Sequence, residues 1–335
     1  MKALVVRGAG LVDIEERPDP AVLPGHVLIR PAVVGLCGTD LEIIDGRVDP
    51  AYVRLPLVLG HEWSGAVVDS GDAAGAPAPG ARVVVEGIVP CRHCPACAAG
   101  DTNLCETYDE FGFVRDGAAA DLVLAPAELV HALGPDVSAE SGALVEPAAV
   151  VWRALTRAAP RPGQRVLVVG DGTVGLIAAH LVRLWSPASV TMLGARAEQA
   201  ELAERAGVDE FVTDRAVAGG GYDLVVEAAG VPAAVAAALS APRRGGVVVL
   251  LGLAGQDARV PLQIDELVNG DVTVIGSFSY TSVAWAQVVT LLNSGRLDLG
   301  FLVTHRFPLD RWEEAITALR APRGARGKVL LSLSD

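Results

Sequence analysis

Val166-Leu167-Val168-Val169-Gly170-Asp171-Gly172-Thr173-Val174-Gly175 is an apolar run that turns directly into G-x-G-x-x-G. The run reads as a buried strand and the residues after it as the start of a helix. In that setting the glycines permit a tight turn, close approach of a pyrophosphate and close helix–strand packing. The helix N-terminus then faces the phosphates. Away from such a setting the motif is weak, because Gly-rich turns occur in unrelated α/β domains. Gly170, Gly172, Thr173, Val174 and Gly175 are accordingly the candidate dinucleotide-binding residues.

The same alternation continues beyond that turn. Ser189–Leu193, Asp223–Glu227, Gly246–Leu251 and Val272–Gly276 read as further strands, and helices are predicted over Val174–Trp185 and Glu198–Ala206. Strands alternating with helices predict an α/β domain with a doubly wound parallel sheet, here over residues 149–292. Before it the text differs. Short apolar runs at Val27–Arg30, Pro56–Gly60, Gly65–Val68, Arg82–Val85 and Asp121–Ala125 are punctuated by Gly and Pro, as in an all-β, barrel-like domain. Strand-like text resumes at Leu302–Arg306 and Lys328–Leu333 around one helix, Leu309–Leu319, so residues 293–335 are expected to rejoin residues 1–148.

The end of the second strand bears on the cofactor. An acidic residue there binds the adenosine ribose 2′-OH in NAD enzymes. In this chain the position falls on Gly194, with Arg196 two residues on. Glycine removes the carboxylate that would repel a 2′-phosphate, and an arginine can hold that group bidentately. The pattern predicts NADP(H) in preference to NAD(H). The alternative is a solvated surface arginine and a site open to either cofactor.

Composition narrows the partners. The chain has 335 residues, 51% of them hydrophobic, and a net charge of −13. Its length suits two domains. The negative balance argues against nucleic acid and anionic membranes, which attract basic faces. No apolar run approaches the roughly 18 residues of a membrane span. The opening Met1–Arg7 reads as a strand, not a signal peptide. A cytoplasmic protein acting on a small molecule is expected. Lysine occurs only at Lys2 and Lys328 amid abundant Arg, Ala and Gly, a bias read as genomic and not functional.

All five cysteines can be allotted to metal. Cys91, Cys94, Cys97 and Cys105 follow C-x2-C-x2-C-x7-C. That spacing lets one loop, about residues 88–108, wrap a tetrahedral Zn²⁺ with four thiolates and no open position. A reducing compartment favours this over two disulfides. Cys37 is left to join imidazole and carboxylate in a second site, giving two zinc ions per chain. The neighbouring text is Gly35-Leu36-Cys37-Gly38-Thr39-Asp40, Gly60-His61-Glu62-Trp63-Ser64-Gly65 and Leu144-Val145-Glu146-Pro147-Ala148. Thiolate, imidazole and carboxylate leave one coordination position open, as a catalytic zinc requires.

Together these motifs resemble the zinc-dependent alcohol dehydrogenases of the medium-chain dehydrogenase/reductase superfamily, over essentially the whole chain. Glu146 moves the resemblance toward the polyol branch, where sorbitol, butanediol, threonine and glucose dehydrogenases are similar. The resemblance implies a Rossmann domain at 149–292. It also implies a GroES-like β-barrel catalytic domain with a structural zinc lobe, from residues 1–148 and 293–335. It further implies that Cys37 and His61 are ligands of the catalytic zinc, with Glu146 as third ligand or its water-bridged substitute. Glu62 corresponds to the glutamate that can swap onto the metal, Thr39 to the hydroxyl that takes the alcohol proton, and Asp40 to a carboxylate that orients the ligand histidine.

There are three departures. Glu42 stands near the place of the relay histidine of simple alcohol dehydrogenases. Gly117-Ala118-Ala119-Ala120-Asp121 replaces a stretch that usually holds an aromatic residue. Lys328 stands where a cation often meets Glu62 or the cofactor phosphates. The implied activity is hydride transfer between NADP(H) and a secondary alcohol or ketone of a polyol, sugar, cyclitol or aminocyclitol. The alternatives are a simple alcohol or aldehyde dehydrogenase using NAD(H), and a non-catalytic cofactor-binding relative. Glu86, Asp109, Glu110 and Arg115 are polar candidates for substrate contact. Val272–Phe278 is expected to pair with its counterpart in a homodimer or homotetramer.

Overall fold

A computed structural model describes residues 1–255 and 257–333. Ser334 and Asp335, the end of the expected C-terminal return, lie outside the described residues. The chain divides into two compact units. The first comprises Met1–Glu146, Thr281–Ala321 and the segment from Lys328; the second comprises Pro147–Tyr280 and Pro322–Gly327. Helix Ser282–Asn293 belongs to the first unit, whereas the sequence reading ran the second domain to residue 292. Its two ends are tied to first-unit groups: Ser282 N–H donates to Thr102 Oγ1, and Asn293 Oδ1 accepts from Gly134 N–H. Helical periodicity carries no sign of such anchoring.

In the second unit six parallel strands lie in the order Glu210–Val212, Ser189–Leu193, Arg165–Val169, Tyr222–Glu227, Pro242–Leu250, Thr273–Gly276. The chain begins in the middle and winds outward both ways. Strand order therefore reverses beside Arg165–Val169, and sheets of this kind bind ligands outside the carboxyl ends of the strands at that reversal. Val166–Val169 is buried throughout, which is why it reads as an unbroken apolar run. The strand Glu210–Val212 was not foreseen; three residues carry too little pattern to register.

The first unit holds a seven-stranded sheet. Its order is Val303–Pro308, Lys328–Ser332, His26–Leu36, Glu62–Asp69, Arg82–Val85, Val130–Ala132, with Val123–Pro126 also paired to His26–Leu36. A smaller sheet joins Leu11–Glu16, Lys2–Gly8 and Leu57–Val58. Leu4, Val6, Ile29, Val34, Trp63 and Val329 are among the side chains that close the core between them.

Register places the site. The long strand ends at Leu36, opposite Val329, and Gly35 lies opposite Glu62. Both neighbours are antiparallel to it, so they begin, at Glu62 and Lys328, where it ends. Cys37, His61, Glu62 and Lys328 thus reach one end of the sheet from three distant segments. Among the described residues no helix is long and apolar enough to cross a membrane.

Candidate active site

Cys37 leaves the long strand in extended conformation and caps helix Gly38–Ile44. Its backbone N–H donates to Asp40 Oδ2 at 2.7 Å. The other oxygen, Oδ1, lies 3.4 Å from His61 Nδ1. A fully buried carboxylate is thus bonded to the cysteine backbone and faces the imidazole, with Oδ1 and Nδ1 making no hydrogen bond. A carboxylate facing one ring nitrogen favours one ring orientation and leaves the other nitrogen for a metal. Burial opposes charge on His61, but Asp40 outweighs it and holds the imidazole well above its usual range. Ligand atoms of Cys37, His61 and Glu62 all lie within 4.8 Å of one another. A thiol, an imidazole and a carboxylate gathered so closely fit Zn²⁺. Thr39 Oγ1 is 3.8 Å from the Cys37 sulfur.

Glu62 has a second attachment. The Lys328 ammonium donates to its Oε2, and both side chains are almost wholly buried. Gly35 makes the room: a β-carbon there would lie 2.5 Å from Glu62 Oε2 and 3.3 Å from Lys328 Cδ. Burial opposes the lysine charge; the Glu62 carboxylate outweighs that and holds the ammonium above its ordinary range. Small residues are needed beneath the site as well. Ala118 and Ala119 N–H donate to the carbonyls of Gly60 and Leu59, and a side chain on Gly117 would strike the same two carbonyls.

Glu146, in the first turn of helix Val145–Ala158, is buried but stands outside the group gathered within 4.8 Å. Burial, and then the Glu62 charge, push its carboxyl up to about 8. The other polar candidates separate clearly. Asp109 accepts from Arg115 Nε at 3.0 Å, and Glu86 is engaged by His131 Nε2 at 2.9 Å and by Ser282 Oγ. Glu110 is buried and its Oε2 accepts from the Tyr108 hydroxyl.

The cysteine lobe is closed by its own backbone. Sγ atoms of Cys91, Cys94, Cys97 and Cys105 lie within 4.8 Å of one another. Cys105 Sγ accepts from Cys91 N–H, Cys91 Sγ from Cys94 N–H and Cys94 Sγ from Cys97 N–H, at 3.3 to 3.5 Å. All five cysteines are free, and the sulfurs of Cys91 and Cys97 are 4.0 Å apart. N–H donors from Glu106 and Cys97 pull the Cys94 thiol down, while burial pushes Cys97 up. Four such thiols ionise together only around a cation, so this donor set also fits Zn²⁺. His93 faces away from the metal role, its Nδ1 lying 2.6 Å from the Cys91 carbonyl.

In the second unit the glycine turn has the geometry of a phosphate cradle. Gly170 has φ +117°, and a β-carbon there would lie 2.8 Å from Ala229 N. Gly175 packs on the Gly170 carbonyl, and above Gly172 nothing lies within 4 Å. Helix Thr173–Val182 starts directly from it. Asp171, which sequence reasoning passed over, organises the neighbouring loop: its Oδ2 accepts from Ala195 and Arg196 N–H at 3.0 and 2.9 Å, and its Oδ1 from Arg196 Nη2 at 2.9 Å. Arg196 is thus no solvated surface residue; its Nη1 is buried without a hydrogen-bond partner. At Gly194 a β-carbon would lie 2.5 Å from the Phe211 ring and 2.9 Å from Asp171 Cβ, so a side chain there would require Phe211 and Asp171 to shift. An acidic residue inside G-x-G was the available signal for Asp171.

Residues 23–135 match the alcohol dehydrogenase GroES-like domain, and residues 173–294 match the zinc-binding dehydrogenase domain. A sorbitol dehydrogenase of Halalkalibacterium halodurans is 30% identical over 350 aligned residues, covering 100% of both chains. An L-threonine 3-dehydrogenase of Streptomyces avermitilis is 34% identical and covers 99% of both. Among solved structures, a zinc-binding dehydrogenase of Sinorhizobium meliloti with NADP bound superposes with a TM-score of 0.92 at 29% identity, covering 99% of each chain.

Proposed function

The chain belongs to the zinc-dependent alcohol dehydrogenase family, and on that premise we propose that it exchanges a hydride between NADP(H) and a secondary alcohol or ketone of a polyhydroxylated small molecule. The observation that carries this reading is the open donor set of Cys37, His61 and Glu62, with buried Glu146 beside it. Simple apolar substrates would gain nothing from so many carboxylates. Relatives named for sorbitol and for L-threonine support the same direction.

Zn²⁺ held by Cys37 and His61, with Glu62 or Glu146, would supply Lewis acidity toward the substrate oxygen, and a bound nicotinamide would carry the hydride. The protein's own part follows from the contacts. Asp40 favours one orientation of His61. Lys328 neutralises Glu62 and keeps its carboxylate in place. The Thr39 hydroxyl, beside Cys37, would accept the alcohol proton at Oγ1 while releasing its own proton to solvent water. Cys91, Cys94, Cys97 and Cys105 would hold a second zinc with no open position, in a structural role.

Gly194 and Arg196 support NADP(H), since position 194 carries no carboxylate and a buried guanidinium nitrogen of Arg196 lacks a partner. A second reading rests on Asp171, whose carboxylate sits beside position 194 and already binds Arg196; in that place it would favour the ribose of NAD(H). Free cysteines suit a reduced, cytoplasmic setting. Thr273–Gly276, the outer strand of the parallel sheet, with exposed Val268, Val274 and Phe278 nearby, is proposed as the contact of a homodimer or homotetramer.

Nicotinamide absorbance with the zinc-loaded enzyme tests this, using NADP⁺ and NAD⁺ against simple alcohols, linear polyols, aldoses, inositols and aminocyclitols. Turnover of a polyhydroxylated class with NADP⁺ is expected. Turnover with NAD⁺ alone, or tighter binding of NADH than NADPH, would leave the enzyme class standing and overturn the cofactor assignment. Turnover of simple alcohols alone would overturn the substrate class.

A further inference from the structure

The short segment Pro322–Gly327 belongs to the second unit, although the chain on either side of it belongs to the first. Two side chains hold it there. Gln199, fully buried, donates from Nε2 to the Arg326 carbonyl at 2.9 Å and accepts at Oε1 from the Arg326 N–H at 2.6 Å. The same Nε2 donates to the Asp171 carbonyl at 2.5 Å, inside the glycine turn. One residue on, the Gly327 carbonyl accepts from Thr173 Oγ1 at 3.1 Å, at the start of the helix that follows the turn. The backbone of residue 326 is thus fixed beside the phosphate cradle.

That lock grips main-chain atoms only and would hold any residue at 326. A mere tether would be served as well by a small neutral side chain, so the arginine needs its own explanation. It brings two like charges together. Burial, and then the Arg196 charge, hold the Arg326 guanidinium below its ordinary range, while Asp171 acts in the opposite sense. Arginine stays charged in such a place, so the repulsion persists unless an anion lies by both groups. Asp171 is committed to Arg196, accepting from its Nη2 and its backbone N–H, each at 2.9 Å. Arg196 Nη1 is left without a hydrogen-bond partner. A 2′-phosphate arriving at Arg196 alone would also meet the Asp171 carboxylate. A second cation is needed to outweigh it, and Arg326 is placed to be that cation. Both arginines are part-exposed, so a ligand can reach them.

We propose that Arg326, carried in on the C-terminal segment, is a second arginine for the 2′-phosphate of NADP(H), and that with Arg196 it makes the site select NADP(H) although Asp171 stands in it. This rests on the NADP(H) reading above and names the residue that decides it against the NAD(H) one. No local pattern links positions 196 and 326; only the Gln199 lock brings them together.

Binding calorimetry on the zinc-loaded enzyme tests it with adenosine 2′,5′-bisphosphate and adenosine 5′-monophosphate, which differ only in the 2′-phosphate and need no turnover. The wild type should bind the bisphosphate about a hundredfold more tightly, with two charged hydrogen-bonding arginines at stake. Arg326→Ala should lower that ratio by about tenfold. Arg326→Lys should retain more of it than Ala does, as a point charge without the fork. Raised salt should erode the wild-type ratio more than the Arg326→Ala ratio. An unchanged ratio in Arg326→Ala, or equal weakening of both ligands, would overturn the proposal and leave the NADP(H) reading to Arg196 alone. A wild type that binds the two ligands equally would overturn both.

Discussion

The cysteine lobe and the Cys37 centre lie in the same unit and use similar donors, yet they are assembled by opposite routes. The lobe takes its four sulfurs from the single stretch Cys91–Cys105 and lets N–H groups of that stretch donate to them. The Cys37 centre collects its groups from the ends of three strands and depends on their register. The lobe repeats one anionic donor four times and is thereby closed. The other centre mixes thiol, imidazole and carboxylate, and sets charged partners behind them: Asp40 behind His61, Lys328 behind Glu62. Coordination by one kind of ligand on one loop makes a staple. Coordination by unlike ligands from separate strands, each held from behind, leaves a position free for chemistry.

Crossed cysteine substitutions should break this comparison most sharply. Cys37→Ser is expected to lower kcat/KM by about a thousandfold or more, since a lost Lewis acid forfeits several kcal/mol of transition-state stabilisation. Its melting temperature should change little. Cys97→Ser should act the other way, lowering the melting temperature by on the order of 10 °C, with the folded fraction still turning over. Each should lose one metal per chain by elemental analysis. Complete loss of turnover in a folded Cys97→Ser protein would show that the lobe is more than a staple. The Lys328–Glu62 pair comes next. Lys328→Met leaves a buried carboxylate uncompensated and should cost about 3 kcal/mol in chemical denaturation. Adding Glu62→Gln should restore most of that loss, because the stranded charge is then gone. A double variant no more stable than the single one would mean that Lys328 acts through its packing.

The two routes also explain what the sequence could show. Four cysteines at C-x2-C-x2-C-x7-C announce their site because every ligand is a neighbour of the next. The strand Arg165–Val169 and its glycine turn are legible for the same reason: an unbroken apolar run and a fixed spacing are local facts. Cys37, His61 and Glu146 were connected only through a family resemblance, since no local pattern links positions so far apart. Even then Glu146 proves to stand outside the closest group. Asp171 and the Tyr108–Glu110 pair were unreadable as contacts, because each depends on how one loop lies against another. The placement of Ser282–Asn293 was missed likewise: what assigns a helix to a unit is the groups that hold its ends.

Asp40→Asn would sharpen the contrast at the Cys37 centre alone. It keeps the shape but weakens the acceptor that orients His61, and zinc affinity there should fall by about ten- to a hundredfold. Competition with a chelator, followed by metal counting, should show the lobe unaffected. Equal weakening of both sites would mean that they are coupled through the fold.

The smallest expected effect probes the lobe's backbone. Arg92, between the first two cysteines, has φ +61°, a left-handed conformation that a β-carbon disfavours. Its side chain pairs with Glu128 at 2.8 Å, but both are about half exposed (46% and 59%), and such surface pairs contribute little. Backbone freedom should therefore outweigh the lost pair in Arg92→Gly, leaving stability unchanged or raised by about 0.5 kcal/mol. Arg92→Val forces a β-branched residue into the same turn and should cost about 1–2 kcal/mol. Neither change should alter kcat. Thermal unfolding of the zinc-loaded forms measures both. If Val were tolerated as well as Gly, the bound ion and not the local backbone would be holding the turn, and the lobe would owe its shape to metal as much as the Cys37 centre owes its own to the sheet.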